Sequence, residues 1–164
     1  MVIMQASNNI ELPYRTGVGI MIINNQKQVF VGKRVDKQNA WQMPQGGVDN
    51  DETPKEAAMR ELLEEIGTNK VRFISESKEW FYYNVPKRLI PKLWNGQYRG
   101  QKQKWFLCKF LGQDSEINLN TEHPEFIEWR WVELSELPVI IVPFKQKLYC
   151  KVIKAFQNRI DNLE

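Results

Sequence analysis

The stretch TPKEAAMRELLEEIG, from Thr53 to Gly67, constrains this chain more than any other, because both ends of a helix are written into it. Thr53 and Glu56 are spaced as a capping box, Pro54 takes the first helical position, where its missing N–H costs nothing, and Gly67 suits a left-handed stop. At about 100° per residue, Ala58, Met59, Leu62, Leu63 and Ile66 fall on one broad arc and Glu61, Glu64 and Glu65 on another. The pattern predicts a helix that packs one side and presents carboxylates on the other. Like charges three and four positions apart repel by roughly 0.2–0.5 kcal/mol per pair. Alone, such a face would be read as an ordinary solvated acidic surface.

The flanking sequence is largely β in character. GVGIMIINNQKQVFVGKR holds two β-rich runs around NNQKQ, a hairpin signature, and further strands are expected at 71–74, 79–85, 104–111 and 126–132. QGGVDNDE reads as a loop, VPKRLIPKLWNGQYRGQ as a basic loop carrying aromatics, and 144–160 as a closing helix packed through Leu148, Val152, Phe156 and Ile160. Residues 1–13 lack periodicity and read as a loosely held N-terminal extension to one α/β domain over 14–160.

Composition narrows the classes. With 42% hydrophobic and 26% charged residues the chain is not a disordered one. The apolar run Val18–Ile23 is far too short to cross a bilayer and no basic leader precedes it, so a cytoplasmic protein without membrane contact is expected. The two cysteines, Cys108 and Cys150, lack C-x-x-C spacing and read as buried thiols. His123 is the sole histidine and sits in the polar NTEHPE, which excludes a histidine-rich metal site and argues against a Ser-His-Asp triad. A net charge of +3 does not announce a partner for duplex DNA.

The acidic helix does not stand alone. Gly46, Glu52, Arg60-Glu61, Glu64-Glu65 and Gly67 form a fixed pattern, which at background frequencies of about 5–7% per residue type should arise by chance on the order of once per million chains. Clustered carboxylates without soft ligands suit hard divalent cations, Mg²⁺ or Mn²⁺, which bridge to phosphate oxygens. Such ions would also neutralise the repulsion along the helix.

The stretch GGVDNDETPKEAAMRELLEEIGT, residues 46–68, resembles the Nudix box, G-x5-E-x7-R-E-U-x-E-E-x-G-U, with Thr68 departing from the apolar last position. The resemblance implies an α/β/α sandwich with a mixed sheet. It assigns Glu61, Glu64 and Glu65 as metal ligands and catalytic groups, and Glu52 with Arg60 as a pair holding loop and helix in register. Gly46 would supply a carbonyl to the metal, and Glu125 in PEF would act as a further ligand or base.

The likeness runs on through YRTGVGI, WQMPQGG, PKRL, GQKQKWFL, EINL, PEF, WRWV and FKQKLY, from about Tyr14 to Phe156, and is similar to the bacterial RNA pyrophosphohydrolase branch of that family. This implies removal of pyrophosphate from 5′-triphosphate RNA, with dinucleoside polyphosphates such as diadenosine tetraphosphate as alternative substrates. A non-catalytic nucleotide-binding module is the reading from another class, but its signature would be a lost box carboxylate and none is lost. By motif position Arg15, Arg34, Gln101 and Lys104 are candidates for phosphate contact. Phe144 and Lys145 suit an unpaired 5′ base and a phosphate, or else Phe144 is a packed staple at a helix start. Lys147, Lys151 and Lys154 repeat at helical spacing, as a solvated face or a track for an RNA tail. Trp41, Trp80, Trp105, Trp129 and Trp131 are read as core or strand residues.

Overall fold

The computed structural model describes residues 12–36 and 39–163. The extension expected over 1–13 therefore lies outside the described residues, apart from Leu12 and Pro13. Among the described residues there are eight strands: β1 (Tyr14–Ile23), β2 (Val29–Arg34), β3 (Trp41–Gln42), β4 (Gln45–Gly47), β5 (Val71–Glu76), β6 (Phe81–Asn84), β7 (Gly100–Phe110) and β8 (Phe126–Val132). With them are α1 (Pro54–Ile66), the single turn α2 (Leu137–Ile140) and α3 (Gln146–Asp161).

The sheet runs β3-β2-β1-β7-β5, with β4 on β1, β6 on β7 and β8 on β2. β1 and β7 pair in parallel from Tyr14↔Gly100 to Ile23↔Lys109, while every other pairing among the described residues is antiparallel. A mixed sheet follows. Its two central strands are buried on both faces, which explains why they read as nearly continuous apolar runs. Successive side chains divide between the faces. Met21, Ile23, Trp105 and Leu107 join Leu148, Tyr149, Val152 and Phe156 of α3 in one core layer. Val18, Ile20, Ile22, Phe106 and Cys108 join Ala57, Ala58, Leu62 and Ile66 of α1 in the other. This is the expected α/β/α sandwich.

The β1–β2 hairpin closes as the sequence predicts, with the Asn24 side-chain oxygen accepting from the N–H groups of Gln26 and Gln28 at 3.0 and 2.9 Å. Other expectations need correction. Gln45–Gly47 is not loop but the short strand β4, registered as Gly17↔Gly47 and Val18↔Gly46; three residues are too few to show a period, and the pairing is non-local. The basic loop holds two 3₁₀ turns, Lys87–Lys92 and Trp94–Gly96. The closing helix begins with a 3₁₀ turn, Pro143–Lys145, before α3 proper. On α1 the packed arc is narrower than expected: Leu63 is 48% exposed, whereas Glu61 and Glu65 are buried. Cys108 is buried but Cys150 is exposed, because α3 turns Leu148, Tyr149 and Val152 inward and carries its neighbour to the outside.

One polar bond crosses this core. The Met43 N–H donates to the Tyr149 hydroxyl at 2.8 Å, both groups being fully buried. Tyr149→Phe should keep the ring contact with Trp105 but strand that N–H, lowering stability by about 1–3 kcal/mol. A shift of the urea midpoint without a change in slope would show it.

Candidate active site

α1 is built as its sequence dictates. Thr53 Oγ1 accepts from the Glu56 N–H at 3.1 Å while Glu56 accepts from the Thr53 N–H at 2.9 Å. At the other end Gly67 adopts φ 75° and its N–H donates to the Leu63 carbonyl. Between these caps, Arg60 organises the acidic residues. Its guanidinium donates to both Glu52 oxygens at 2.8 and 3.0 Å, to the Gly47 carbonyl at 2.8 Å, to Glu61 at 2.9 Å and to Glu64 at 3.2 Å. One planar fork thus ties the glycine strand β4, the loop after it and the helix together.

The electrostatics of Glu52 follow from this. The hydrogen bonds from Arg60, then that from the Asp49 N–H, lower its pKa to about 2 against an ordinary value of 4.5. A carboxylate held low in the folded state contributes stability that is fully present above about pH 4.5 and drains away as the pH falls toward 2. Melting temperatures measured between pH 6 and pH 2.5 should therefore fall on the acid side, and Glu52→Gln should flatten that limb while lowering stability at neutral pH.

Glu61 and Glu65 sit differently. Burial raises the Glu61 pKa to about 7, opposed by Arg60 and reinforced by repulsion from Glu64 and Glu125. Burial also holds Glu65 well above the usual carboxylate range, with repulsion from Glu61 and Glu125 adding to it. Its Oε2 has no hydrogen-bond partner among the described residues. Gly46 backs directly onto Glu61, and a Cβ there would overlap that carboxylate. Glu64 stands more than half exposed at the rim. Glu125 lines the same cleft and its carbonyl accepts from the Val35 N–H, anchoring the start of β8 beside β2.

The opposite side of this cleft is basic and aromatic. Arg15, Arg34, Gln101, Phe144 and Lys145 all line it, together with the carboxylates. Arg34 is paired with the exposed Asp36 by bonds of 2.9 and 2.6 Å, a surface pairing that costs little to exchange for a phosphate. Lys145 is buried, with Nζ 5.0 Å from the Tyr83 ring centre. Phe144 both packs against the core and borders the cleft, 6.1 Å from Tyr83.

Lys104 is not in this group. Its ammonium donates to the carbonyls of Ser77 and Lys78 and lies 5.5 Å from the Trp80 ring centre. Strand alternation accounts for this, since positions 101 and 104 of β7 point to opposite faces. Trp105 is buried and Trp41, Trp80, Trp129 and Trp131 are partly so. The sequence reading missed Gln42, Gln45, Tyr83, Leu93 and Trp94, which also line the cleft. For Trp94 a signal existed, an aromatic inside a basic loop; the Arg15 guanidinium lies 5.6 Å from its ring centre.

The residues present suit a hard divalent cation. The donor set is all oxygen, Glu65 carries an orphaned buried oxygen, and burial makes Glu65, and Glu61 even with Arg60 beside it, costly to ionise. Among the described residues no three acidic, imidazole or thiol groups close into a ready-made shell; the carboxylates face one space rather than one point.

Comparison with known proteins bears directly on this arrangement. The NUDIX domain family model matches residues 13–152. The chain belongs to the Nudix family. Its relatives include proteins named RNA pyrophosphohydrolase from Rickettsia typhi, 59% identical over 96% of this chain and 99% of theirs, and from Rickettsia prowazekii, 58% identical over the same shares. Among solved structures, the E. coli dihydroneopterin triphosphate pyrophosphohydrolase superimposes with a TM-score of 0.65 at 20% identity, covering 87% of this chain and 99% of that one. A C. elegans Ap4A hydrolase binary complex gives 0.61 at 22% identity, over 87% and 98%. These two likenesses show a shared fold, and the family model names it. Nudix hydrolases generally use divalent metal ions, in keeping with the oxygen donors of α1.

Proposed function

We infer that this protein is an RNA pyrophosphohydrolase, which cleaves 5′-triphosphate RNA to a 5′-monophosphate and pyrophosphate and so opens transcripts to decay. The observation that carries the reading is a single cleft with carboxylates of α1 on one wall and Arg15, Arg34, Lys145 and an aromatic on the other. Near full-length likeness to Rickettsia proteins of that name supports it.

Glu61, Glu64 and Glu65, with Glu125 and the Gly46 carbonyl, would hold the Mg²⁺ or Mn²⁺, whose chemistry is to offset polyphosphate charge and acidify water. The chain's own groups do the rest. Arg15, Arg34 and Lys145 offset the negative charge that grows on phosphate oxygens as the anhydride P–O bond breaks. Gln101, fixed by the Gln103 side-chain amide at 2.7 Å, offers a polar contact without charge. Phe144 presents a ring on which the unpaired 5′ base can stack. Water adds to phosphorus, its proton passes to a carboxylate, for which Glu125 is the candidate, and pyrophosphate departs.

Glu52, Arg60 and Gly67 act by position, keeping loop and helix in register. Lys104 stands outside the substrate-binding set. The working unit is the Nudix domain over 14–160. No described helix is long and apolar enough to cross a membrane; an RNA substrate supports the reading of a cytoplasmic enzyme.

A dinucleoside polyphosphate offers the same polyphosphate joined to a nucleoside, so the deciding experiment is a competition. Purified protein with Mg²⁺ is given 5′-triphosphate RNA and diadenosine tetraphosphate together, and the products are resolved. Faster release of pyrophosphate from RNA is expected; exclusive conversion of the dinucleotide would overturn the assignment.

A further inference from the structure

The modest net charge conceals an uneven distribution. From Trp80 to Gln113 the sequence contains no aspartate or glutamate, and the same is true from Leu137 to Ile160. Both acid-free segments reach the mouth of the cleft. The first supplies Leu93 and Trp94 to its lining, and the second supplies Phe144 and Lys145. They meet at Tyr83, whose ring touches Phe144 and lies beneath the Lys145 ammonium, just before the chain enters the rim loop at Val85. Ile90, Leu93, Trp94, Phe144 and Ile153 pack against a common core layer.

Outward from that junction the cations are exposed. Lys87, Arg88 and Lys92 stand on the first rim turn, and Lys147, Lys151 and Lys154 on the outer face of α3. Among the described residues none of these six forms an ion pair. By contrast, Lys102 and Lys104, elsewhere in the first segment, are occupied over Trp80. Along α3, positions 147, 151 and 154 rise by about 6 and 10 Å from the first, a spacing that a flexible single strand can follow with successive phosphates.

We propose that this basic collar is a second, sequence-independent docking surface, which holds the sugar-phosphate backbone of single-stranded RNA downstream of the 5′ end in the cleft. The proposal rests on the RNA pyrophosphohydrolase reading and deepens it, because a dinucleoside polyphosphate ends inside the cleft and cannot reach the collar. Polymeric substrates then gain affinity from length alone.

The test uses the full chain and two variants, Lys87→Gln/Arg88→Gln/Lys92→Gln and Lys147→Gln/Lys151→Gln/Lys154→Gln. Substrates are 5′-triphosphate RNAs of about 4 and about 16 nucleotides, a range that brackets known single-strand site sizes, and diadenosine tetraphosphate. For the wild type, KM should be lower for the longer RNA. Each variant should raise KM for the longer RNA by about tenfold with kcat unchanged, and leave the shorter RNA and the dinucleotide as they were. Anisotropy with the longer 5′-monophosphate RNA, which needs no turnover, should show a salt slope reduced by about 2 for three lost phosphate contacts.

Wild-type KM independent of RNA length, or variants indistinguishable from wild type in both readouts, would overturn the collar while leaving the enzyme's activity standing. Equal losses on the dinucleotide would overturn it too, by placing these residues in the cleft's integrity. An unaltered RNA salt slope together with binding of an acidic protein would assign the surface to that partner instead. Failure of the wild type to act on either RNA would defeat both readings at once.

Discussion

Glu65→Gln is expected to lower turnover by about 10²–10³-fold at saturating Mg²⁺ while leaving the metal-free protein as stable as the wild type, or more so. The two halves come from the same observation. Glu65 is 4% exposed, one of its oxygens has no partner, and burial with two acidic neighbours makes its charge unfavourable. An amide of the same shape removes that cost. Magnesium should raise the melting temperature of the wild type, because an ion that binds only the folded state stabilises it by mass action, and the variant should lose most of that increment. Melts with Mg²⁺ and with EDTA, set beside pyrophosphate release, measure all three quantities. Near-normal turnover in this variant, or in Glu64→Gln, would refute the ligand assignment.

Arg60→Ala should be the most damaging single change to the fold of the site, at about 2–4 kcal/mol. The substitution removes every bond from the fork and leaves Glu52, Glu61, Glu64 and the Gly47 carbonyl facing one another. The side chain is about 29% exposed, so water recovers part of the loss. Arg60→Lys should rescue little, since one ammonium cannot span Glu52 and Gly47 together. The depressed Glu52 pKa should rise in both variants, so their acid limb should be shallower than that of the wild type. Thermal melts over the acid range report stability and pH dependence together, and an Arg60→Lys protein with a wild-type profile would show that charge alone suffices.

Where the chain determined its own local structure, the sequence was a sufficient guide. The caps of α1, the β1–β2 turn, the strand β8 and all of β7 but its first four residues, which read as loop, are each encoded by neighbours within a few residues. The short strands β3 and β4 were not legible, because two or three residues carry no period and their existence depends on β1 and β2 being in place. The same holds in the cleft. Spacing singled out Glu61 and Glu65 as candidates, but their burial was not legible, since it depends on β4 lying beneath α1 with a glycine opposite Glu61. Tyr83 and Gln42 reach the cleft only through the sheet's order. Lys104 shows the reverse error: a residue in an informative motif is carried to the far face by the simple alternation of a strand.

The parallel pairing of β1 with β7 sets a timetable for biosynthesis. Tyr14 must wait for Gly100, and Ile23 for Lys109. A nascent chain ending before those positions already has the acidic helix with β1, β2 and β4, yet it lacks β7, whose Phe106 and Cys108 complete the layer under that helix and whose Trp105 and Leu107 complete the opposite one. Closing so long a loop is entropically slow. The emerging polypeptide therefore spends its early life with apolar surface on both faces of β1 uncovered, the condition under which partly folded chains associate.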